Sequence, residues 1–314
     1  MKSRVEKHKK KRRWPIWLGG IVLAFIIVIG GFLFYVWDQI GDTVESMHNP
    51  LERDKDPEQQ QELEAVFNNT ESVNILLLGV DERSGDKGRS DTMMLLSLNP
   101  NTNAIKMLSI PRDTYVTIPG RGKDKINHAY AFGGVELSVE TVEDNLDIPI
   151  HYYAQVNMEG FKQGIDALGG VTVTNDTAFS QGGSQFPVGE VQLNGEQALD
   201  YIRMRKDDPR GDLGRNERQR SVITAAINKG ARFSSITKVG DILTILGDNV
   251  QTNLDMDDMQ TLFSNYRGTR KNITSMEIEG NGQRFGQPER WYYVVSDSEF
   301  NRITTEIKEH MNEK

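Results

Sequence analysis

Residues 14–37, WPIWLGGIVLAFIIVIGGFLFYVW, run for 24 positions without a charged side chain. As a helix rising about 1.5 Å per residue, such a run covers roughly 36 Å, enough to cross a hydrocarbon core of about 30 Å with some tilt. Trp14 and Trp17 mark one edge and Tyr35 and Trp37 the other, as in an interfacial aromatic belt. Eight Lys or Arg and one Glu precede the run, and Asp38, Asp42 and Glu45 follow it. By the positive-inside rule the N-terminus is cytoplasmic and the remainder lies outside the cell. The run exceeds a signal-peptide core and no A-x-A cleavage site follows it, so it is expected to stay as an anchor. The expected layout is a cytoplasmic basic tail (1–13), a transmembrane helix (14–37), a polar stalk (38–71) and one extracellular domain (72–314) in a single-pass protein of the cell membrane.

Charge divides by compartment. The chain carries 37 basic and 45 acidic residues, and without the basic tail 29 and 44 remain, so the outer part is near −15. That excludes general binding to nucleic acid or to anionic polymers. The absence of cysteine removes disulfides and thiolate metal sites. The outer domain must stand on its apolar core.

That domain begins near Val73. VNILLLGV is a short continuous apolar run, expected as a strand buried on both faces. Residues 91–99 and 104–110 read as two strands of a hairpin turning at NPNTN. Val135, Val139, Val142 and Leu146 recur at helical spacing, then HYYAQVN reads as a strand, MEGFKQGIDALGG as a helix and VTVT as a strand. LNGEQALDYIRMR is expected as a helix capped by Asn194, and GRNERQRSVITAAINKG as another ending at Gly230. Further helices reach about Tyr266. Strands ITSMEIEG and RWYYVVS and a helix from SEFNRITTEIKEHM close the chain. This alternation predicts an α/β fold, a three-layer α-β-α sandwich with a mixed central sheet.

Three segments could carry chemistry. GVDERSGDKGRSDT (79–92) follows the first strand, where α/β proteins place ligands. Asp81, Glu82, Asp86 and Asp91 offer hard oxygens beside Arg83 and Arg89, a composition that suits a metal-bound phosphate and equally a solvated, salt-bridged loop. SIPRDTYV places Arg112 and Asp113 after another strand, where a surface ion pair would look the same. YIRMRKDDPRGDLGRNERQR (201–220) holds six arginines. Arg203 and Arg205 sit two apart, so the helix must loosen for both guanidiniums to converge. Arg215 and Gln219 are four apart, on one face of the next helix, whose N-terminal amides favour an anion. Guanidinium forks match phosphate oxygens, and the alternative is an exposed Arg/Asp net worth little. There is no G-x-S-x-G, Walker A, H-E-x-x-H or G-x-G-x-x-G motif. His128, in KINHAYAFGG, reads as a satisfied structural histidine.

Taken in order, LLLGVDERSGDKGRSDTMML, SIPRDTYV, DKINHAYAFGG, ALGGV and LNGEQALDYIRMRKDDPRGDLGRNERQR resemble the LytR–CpsA–Psr family over about residues 73–230. The resemblance, nearest to a teichoic acid transferase branch, implies an extracellular phosphotransferase. It would move a wall polymer from an undecaprenyl-pyrophosphate carrier to the muramic acid 6-hydroxyl of peptidoglycan, releasing undecaprenyl phosphate. It further implies that Arg89, Arg112, Arg203, Arg205 and Gln219 grip the pyrophosphate, with Arg215 and Arg218 as helpers. Asp81 and Asp91 would hold Mg²⁺, with Mn²⁺ as the alternative. Asp91 and Asp212 are candidate bases, and Asp212 is favoured because an aspartate on a metal is a poor base. The outer domain is expected to be monomeric and to need an apolar channel for the lipid.

Two other readings use the same residues: a pyrophosphatase that hydrolyses the carrier, and a non-catalytic lipid-pyrophosphate binder or envelope regulator. A DNA-binding regulator conflicts with the topology and the acidic outer domain. Mixing the outer domain with duplex DNA at moderate salt should give no shift in an electrophoretic assay.

Overall fold

The computed structural model describes residues 43–81, 88–205, 207–230, 232, 242 and 245–314. The apolar span at 14–37 and Glu82, Arg83 and Asp86 lie outside the described residues. No helix among the described residues is long and apolar enough to cross a membrane.

The strands in chain order are β1 (Val73–Val80), β2 (Ser90–Asn99), β3 (Ala104–Ser109), β4 (Tyr115–Ile118), β5 (Gly122–Lys125), β6 (Tyr152–Asn157), β7 (Val171–Asn175), β8 (Phe179–Gln181), β9 (Ser184–Phe186), β10 (Gly189–Leu193), β11 (Val250–Thr252), β12 (Asn272–Glu277), β13 (Asn281–Phe285) and β14 (Arg290–Val294). Six of them form one mixed sheet in the order β11-β6-β1-β2-β3-β12. The β1–β6 and β3–β12 pairs are parallel and the others antiparallel. The predicted hairpin is β2–β3, with Asn99 opposite Ala104. β1 lies inside the sheet, which is why it reads as an unbroken apolar run.

Alternation along the strands sorts side chains to two faces. Leu76, Leu78, Val80, Met93, Leu95 and Leu108 form one core, with Val139 and Val142 of the His128–Leu146 helix and Ile303 and Ile307 of the Asp297–Asn312 helix. Val73, Ile75, Met94, Leu96 and Met107 form the other, with Ile223 and Ile227 of the Asp212–Gly230 helix packed on it. A third cluster, around Val171, Phe186, Tyr201 and Val222, ties the β7–β10 ribbon to that helix. The expected spacing from Val135 marks the second part of the His128–Leu146 helix, which bends at Gly134, where φ is +66°. Asn194 caps the Gly195–Arg203 helix in a capping box with Gln197, as expected.

The segment read as a stalk is corrected from residue 43 onward. Val44, Met47 and Leu51 are buried, Tyr153 Oη donates to the Asn49 carbonyl at 2.5 Å, and the Pro57–Asn68 helix buries Phe67. The Phe67 ring stacks on Tyr152 at 5.2 Å and meets Tyr266 edge-on at 5.7 Å. The sequence misled because the helix is polar on most of its surface and commits few apolar residues to the core. Phe67→Ala should cost about 3–5 kcal/mol in a denaturant titration, whereas a true linker would tolerate it.

Candidate functional site

The sheet delivers the site residues at the carboxyl end of β1 and the amino end of its antiparallel neighbour. Gly79 pairs with Thr92 and Val80 with Ser90, so Asp91 is the bulged residue of β2 at the end of β1, which Asp81 follows. Both line the mouth of a cavity of about 440 Å³ between the sheet and the helices. Leu77, Val156, Phe161, Leu199, Ile202 and Ile223 make its apolar wall, and Arg203, Arg215 and Gln219 join the two aspartates as its polar lining.

Each of these side chains is held. Arg112 Nη1 contacts Asp91 Oδ1 at 2.5 Å, and its Nε lies 3.6 Å from Asp113. Lys125 Nζ donates to the other Asp113 oxygen at 2.6 Å. The Gly195–Arg203 helix ends as the arginine spacing required: Met204 is extended, at ψ 127°. Arg203 Nη2 rests against Met158 Sδ at 3.2 Å. Arg205 and Arg215 approach Asp212 Oδ1 at 3.1 and 3.2 Å. Gln219 donates to Thr92 Oγ1 at 2.9 Å.

Positive charge is in excess here. Arg112, Arg203, Arg205 and Arg215 gather around Asp91 and Asp212. Burial lowers the Arg215 pKa, and the neighbouring Arg112 and Arg205 add to that effect against the pull of Asp212 and Asp91. Burial also works against charge on Arg112, but Asp91 and Asp113 outweigh it and the pKa is raised. Arg112 Nε, Arg215 Nε and Asp212 Oδ1 are buried with no hydrogen-bond partner among the described residues. Crowded cations with unused donors, placed beside two carboxylates at the rim of an apolar cavity, fit a phosphorylated amphiphile.

One of the expected helpers, Arg218, stands elsewhere. Arg218 is 6% exposed. Its Nη1 donates to Asp208 at 2.8 Å, its Nη2 to the Met204 carbonyl at 2.7 Å, and the guanidinium lies over Phe179. It braces the 204–211 loop, because the buried Asp208 captures it on the side of the helix turned from the cavity. Arg89 is exposed just before β2, and its carbonyl accepts from Asp81 N at 3.4 Å, so it stands at the same strand end as the two aspartates. Of the remaining arginines in the 201–220 stretch, Arg210 pairs with Asp208 and Glu217, and Arg220 with Glu277 and Ser109. Arg218 and Arg220 thus support the site from within the fold, and Arg210 ties down the exposed side of the loop. His128 is satisfied, as expected, by Asp124 at 2.8 Å.

Sequence reasoning missed Thr92, Met158 and Asp208, each of which positions a recognised residue. It also missed Lys125, which shares Asp113 with Arg112. Lys125 sits in DKINHAYAFGG, where a lysine beside Asp124 looks like an ordinary surface residue. Thr92 and Met158 gave no signal, because a short polar or apolar residue next to a strand end is ordinary.

A family model described as the LytR_cpsA_psr family matches residues 34–309. The polyisoprenyl-teichoic acid–peptidoglycan teichoic acid transferase TagU of Oceanobacillus iheyensis is 60% identical over 322 residues, covering all of both chains. The solved structure of B. subtilis TagU is 45% identical with a TM-score of 0.62, over 78% of this chain and 98% of that one. TagT bound to LIIa-WTA is 32% identical with a TM-score of 0.70, over 84% of this chain and 99% of that one.

Asp208 offers a direct check on the loop brace. Burial alone would raise its carboxyl pKa, but the bonds from Arg218 and Arg210 prevail and hold it at about 2. A depressed folded value means the stabilisation is complete above about pH 4 and is lost as pH falls toward 2. Asp208→Asn should lower stability at pH 7 by about 2 kcal/mol and flatten the acid limb of the Tm-against-pH curve between those values.

Proposed function

The chain belongs to the LytR–CpsA–Psr family, and from that premise we propose that it is a wall-polymer transferase. In this reading it moves an anionic polymer, wall teichoic acid, from an undecaprenyl-pyrophosphate carrier to the muramic acid 6-hydroxyl of peptidoglycan. It works outside the cell, anchored through residues 14–37. The observation that carries the reading is the guanidinium cluster of Arg112, Arg203, Arg205 and Arg215 at the mouth of an apolar cavity.

A pyrophosphate diester brings two negative charges to these arginines. The acceptor hydroxyl oxygen forms a bond to the polymer-side phosphorus. The bond from that phosphorus to the bridging oxygen breaks, undecaprenyl phosphate departs, and the hydroxyl proton passes to a carboxylate. Arg203, Arg205 and Arg215, with Gln219, bind the diphosphate oxygens. Arg112, fixed by Asp91 and Asp113, stabilises charge that moves to the leaving phosphate. Arg89, exposed at the same strand end as Asp81 and Asp91, adds a further guanidinium for the diphosphate.

Asp81 and Asp91 suit a divalent ion. They are hard carboxylates on adjacent strands, and no group of three potential ligands accompanies them among the described residues. Mg²⁺ takes one or two carboxylates and completes its shell with phosphate oxygens and water, and Mn²⁺ is the alternative. The ion would neutralise the diphosphate. Asp212 is the favoured proton acceptor, since Asp91 pairs with Arg112 and would also hold the ion. Its ion pairs with Arg205 and Arg215 also make it a positioning group, so its two roles need separating.

The lipid has a place to lie. A second opening of about 380 Å³, walled by Ile75, Leu98, Ile105, Ile227 and Phe263, continues along the same sheet face. Ile223 of the first opening and Ile227 of the second are one helical turn apart, and Leu77 and Ile75 are two residues apart on β1. The openings thus follow one another under the Asp212–Gly230 helix.

With a lipid-pyrophosphate-linked saccharide, a peptidoglycan acceptor and Mg²⁺, the protein should yield peptidoglycan-linked product. Arg203→Ala should lower kcat/KM on the order of a hundredfold. Lipid cleavage without linkage would make the protein a pyrophosphatase, and binding without either reaction a sensor. For Asp212→Asn, a fallen kcat and loss of the acidic limb of the pH–rate profile would identify the base. A raised donor KM with an unchanged profile would leave Asp212 only the positioning of Arg205 and Arg215.

A further inference from the structure

The chain beyond Arg112 builds a feature that donor binding leaves unused. β4 starts three residues after that arginine, and its partner β5 ends at Lys125, opposite Tyr115. The β13–β14 hairpin docks beside them: Tyr293 N donates to the Asp113 carbonyl at 2.8 Å, and Thr114 bridges to Tyr293. Three rings meet at the junction. Tyr115 lies edge-on to Phe285 at 4.9 Å and to Tyr292 at 5.0 Å, and Phe285 stacks on Tyr292 at 4.4 Å.

Cations rim these rings. Lys123 Nζ lies 5.9 Å from the centre of the Tyr115 ring, and Lys125 Nζ lies 5.6 Å from that of Tyr292. Arg290 is opposite Phe285 in the hairpin register and so shares its face. Lys123 and Arg290 are exposed and make no ion pair among the described residues. The nearby acids are Asp113, held by Arg112 and Lys125, Asp124, bonded to His128 and drawn on by Arg290, and the exposed Glu289. Unpaired cations on an aromatic shelf stand out on an outer domain that is otherwise strongly acidic.

We infer that this shelf is the acceptor subsite, where a glycan strand bearing carboxylated peptides lies with its sugars on the Tyr115 ring cluster and its carboxylates on Lys123 and Arg290. The inference rests on the transferase reading and adds to it the position of the second substrate. In-line displacement brings the entering hydroxyl in opposite the departing lipid phosphate. The lipid cavity opens on the sheet face that carries Leu77 and Ile223. β4 packs Val116 and Ile118 into the core of the other face. The shelf joins the site through Asp113, which Arg112 and Lys125 share and whose carbonyl accepts from Tyr293 N. Flat rings suit sugar faces, and cations suit carboxylates, so both parts of the acceptor are matched.

The test uses the full chain in nanodiscs and the double variant Lys123→Glu/Arg290→Glu, with the conservative Lys123→Arg as control. Both positions are exposed, so Tm should not change. Binding of a soluble, uncrosslinked disaccharide-peptide polymer is measured by calorimetry without donor, and acceptor and donor KM are measured in the transfer assay. Support would be binding by the parent chain that weakens about tenfold in the reversal and survives Lys123→Arg, with a matching rise in acceptor KM and an unchanged donor KM. A rise in donor KM alone would assign the shelf to the anionic donor polymer and overturn the inference. Unchanged binding and KM would overturn it as well. Shelf-dependent acceptor binding without any transfer would sink the transferase reading and leave the subsite standing.

Discussion

Like charges at short range repel, and the fold is organised around forcing them together. Arg112, Arg205 and Arg215 are close enough that the first two lower the pKa of the third. Nothing local to these residues would keep them so placed. The cluster persists because each guanidinium sits on a rigid support: β3 leads to Arg112, and the Asp212–Gly230 helix carries Arg215. The 204–211 loop that presents Arg205 is tied down by Asp208 and Arg218. Gly214 belongs to the same tie, since a Cβ there would come within 1.9 Å of Asp208 Oδ2. The repulsion is relieved when a polyanion arrives, so the architecture is preorganised for its ligand.

The two cores divide the work. The face built on Leu76, Leu78 and Leu108 is packed shut by two helices and supplies stability. The other face is less completely filled, and its openings run beneath the Asp212–Gly230 helix. That helix therefore borders the apolar cavity, carries Arg215 and Gln219 toward the phosphate end, and sends Arg218 and Arg220 inward to lock itself in place. The alternation of roles along one element explains why its sequence reads as an undivided basic run.

How far the sequence could be read follows from the range of each interaction. Strand and helix placement depends on local periodicity, so β1, the β2–β3 hairpin, the Asn194 cap and the late Asp297–Asn312 helix were all legible. So were Asp91, Arg112, Arg203 and Arg215, because polar residues at strand and helix ends converge in α/β folds. The Arg218–Asp208 pair was not legible, since a guanidinium that faces inward has the same letter as one that faces a ligand. RWYYVVS was legible as β14, but its partner β13 and the β4–β5 hairpin were not. They are short, and their ring cluster joins Tyr115 to Phe285 and Tyr292, residues far apart in the chain. The Thr43–Asn68 region looked like linker because its anchors to the body are few and widely spaced.

The burial of Val44, Met47 and Leu51 in the body sets a limit on reach. If residues 14–37 hold the bilayer, six residues (38–43) lie between the membrane and the buried Val44, and six residues span at most about 22 Å even when fully extended. An enzyme on so short a leash cannot search the depth of a thick wall. It would act as a fixed station at the membrane surface, with lipid-borne donor diffusing to it in two dimensions and only the newest, innermost glycan within range. The geometry of the tether would then decide which layer of the wall is decorated, before any chemical preference of the site is exercised.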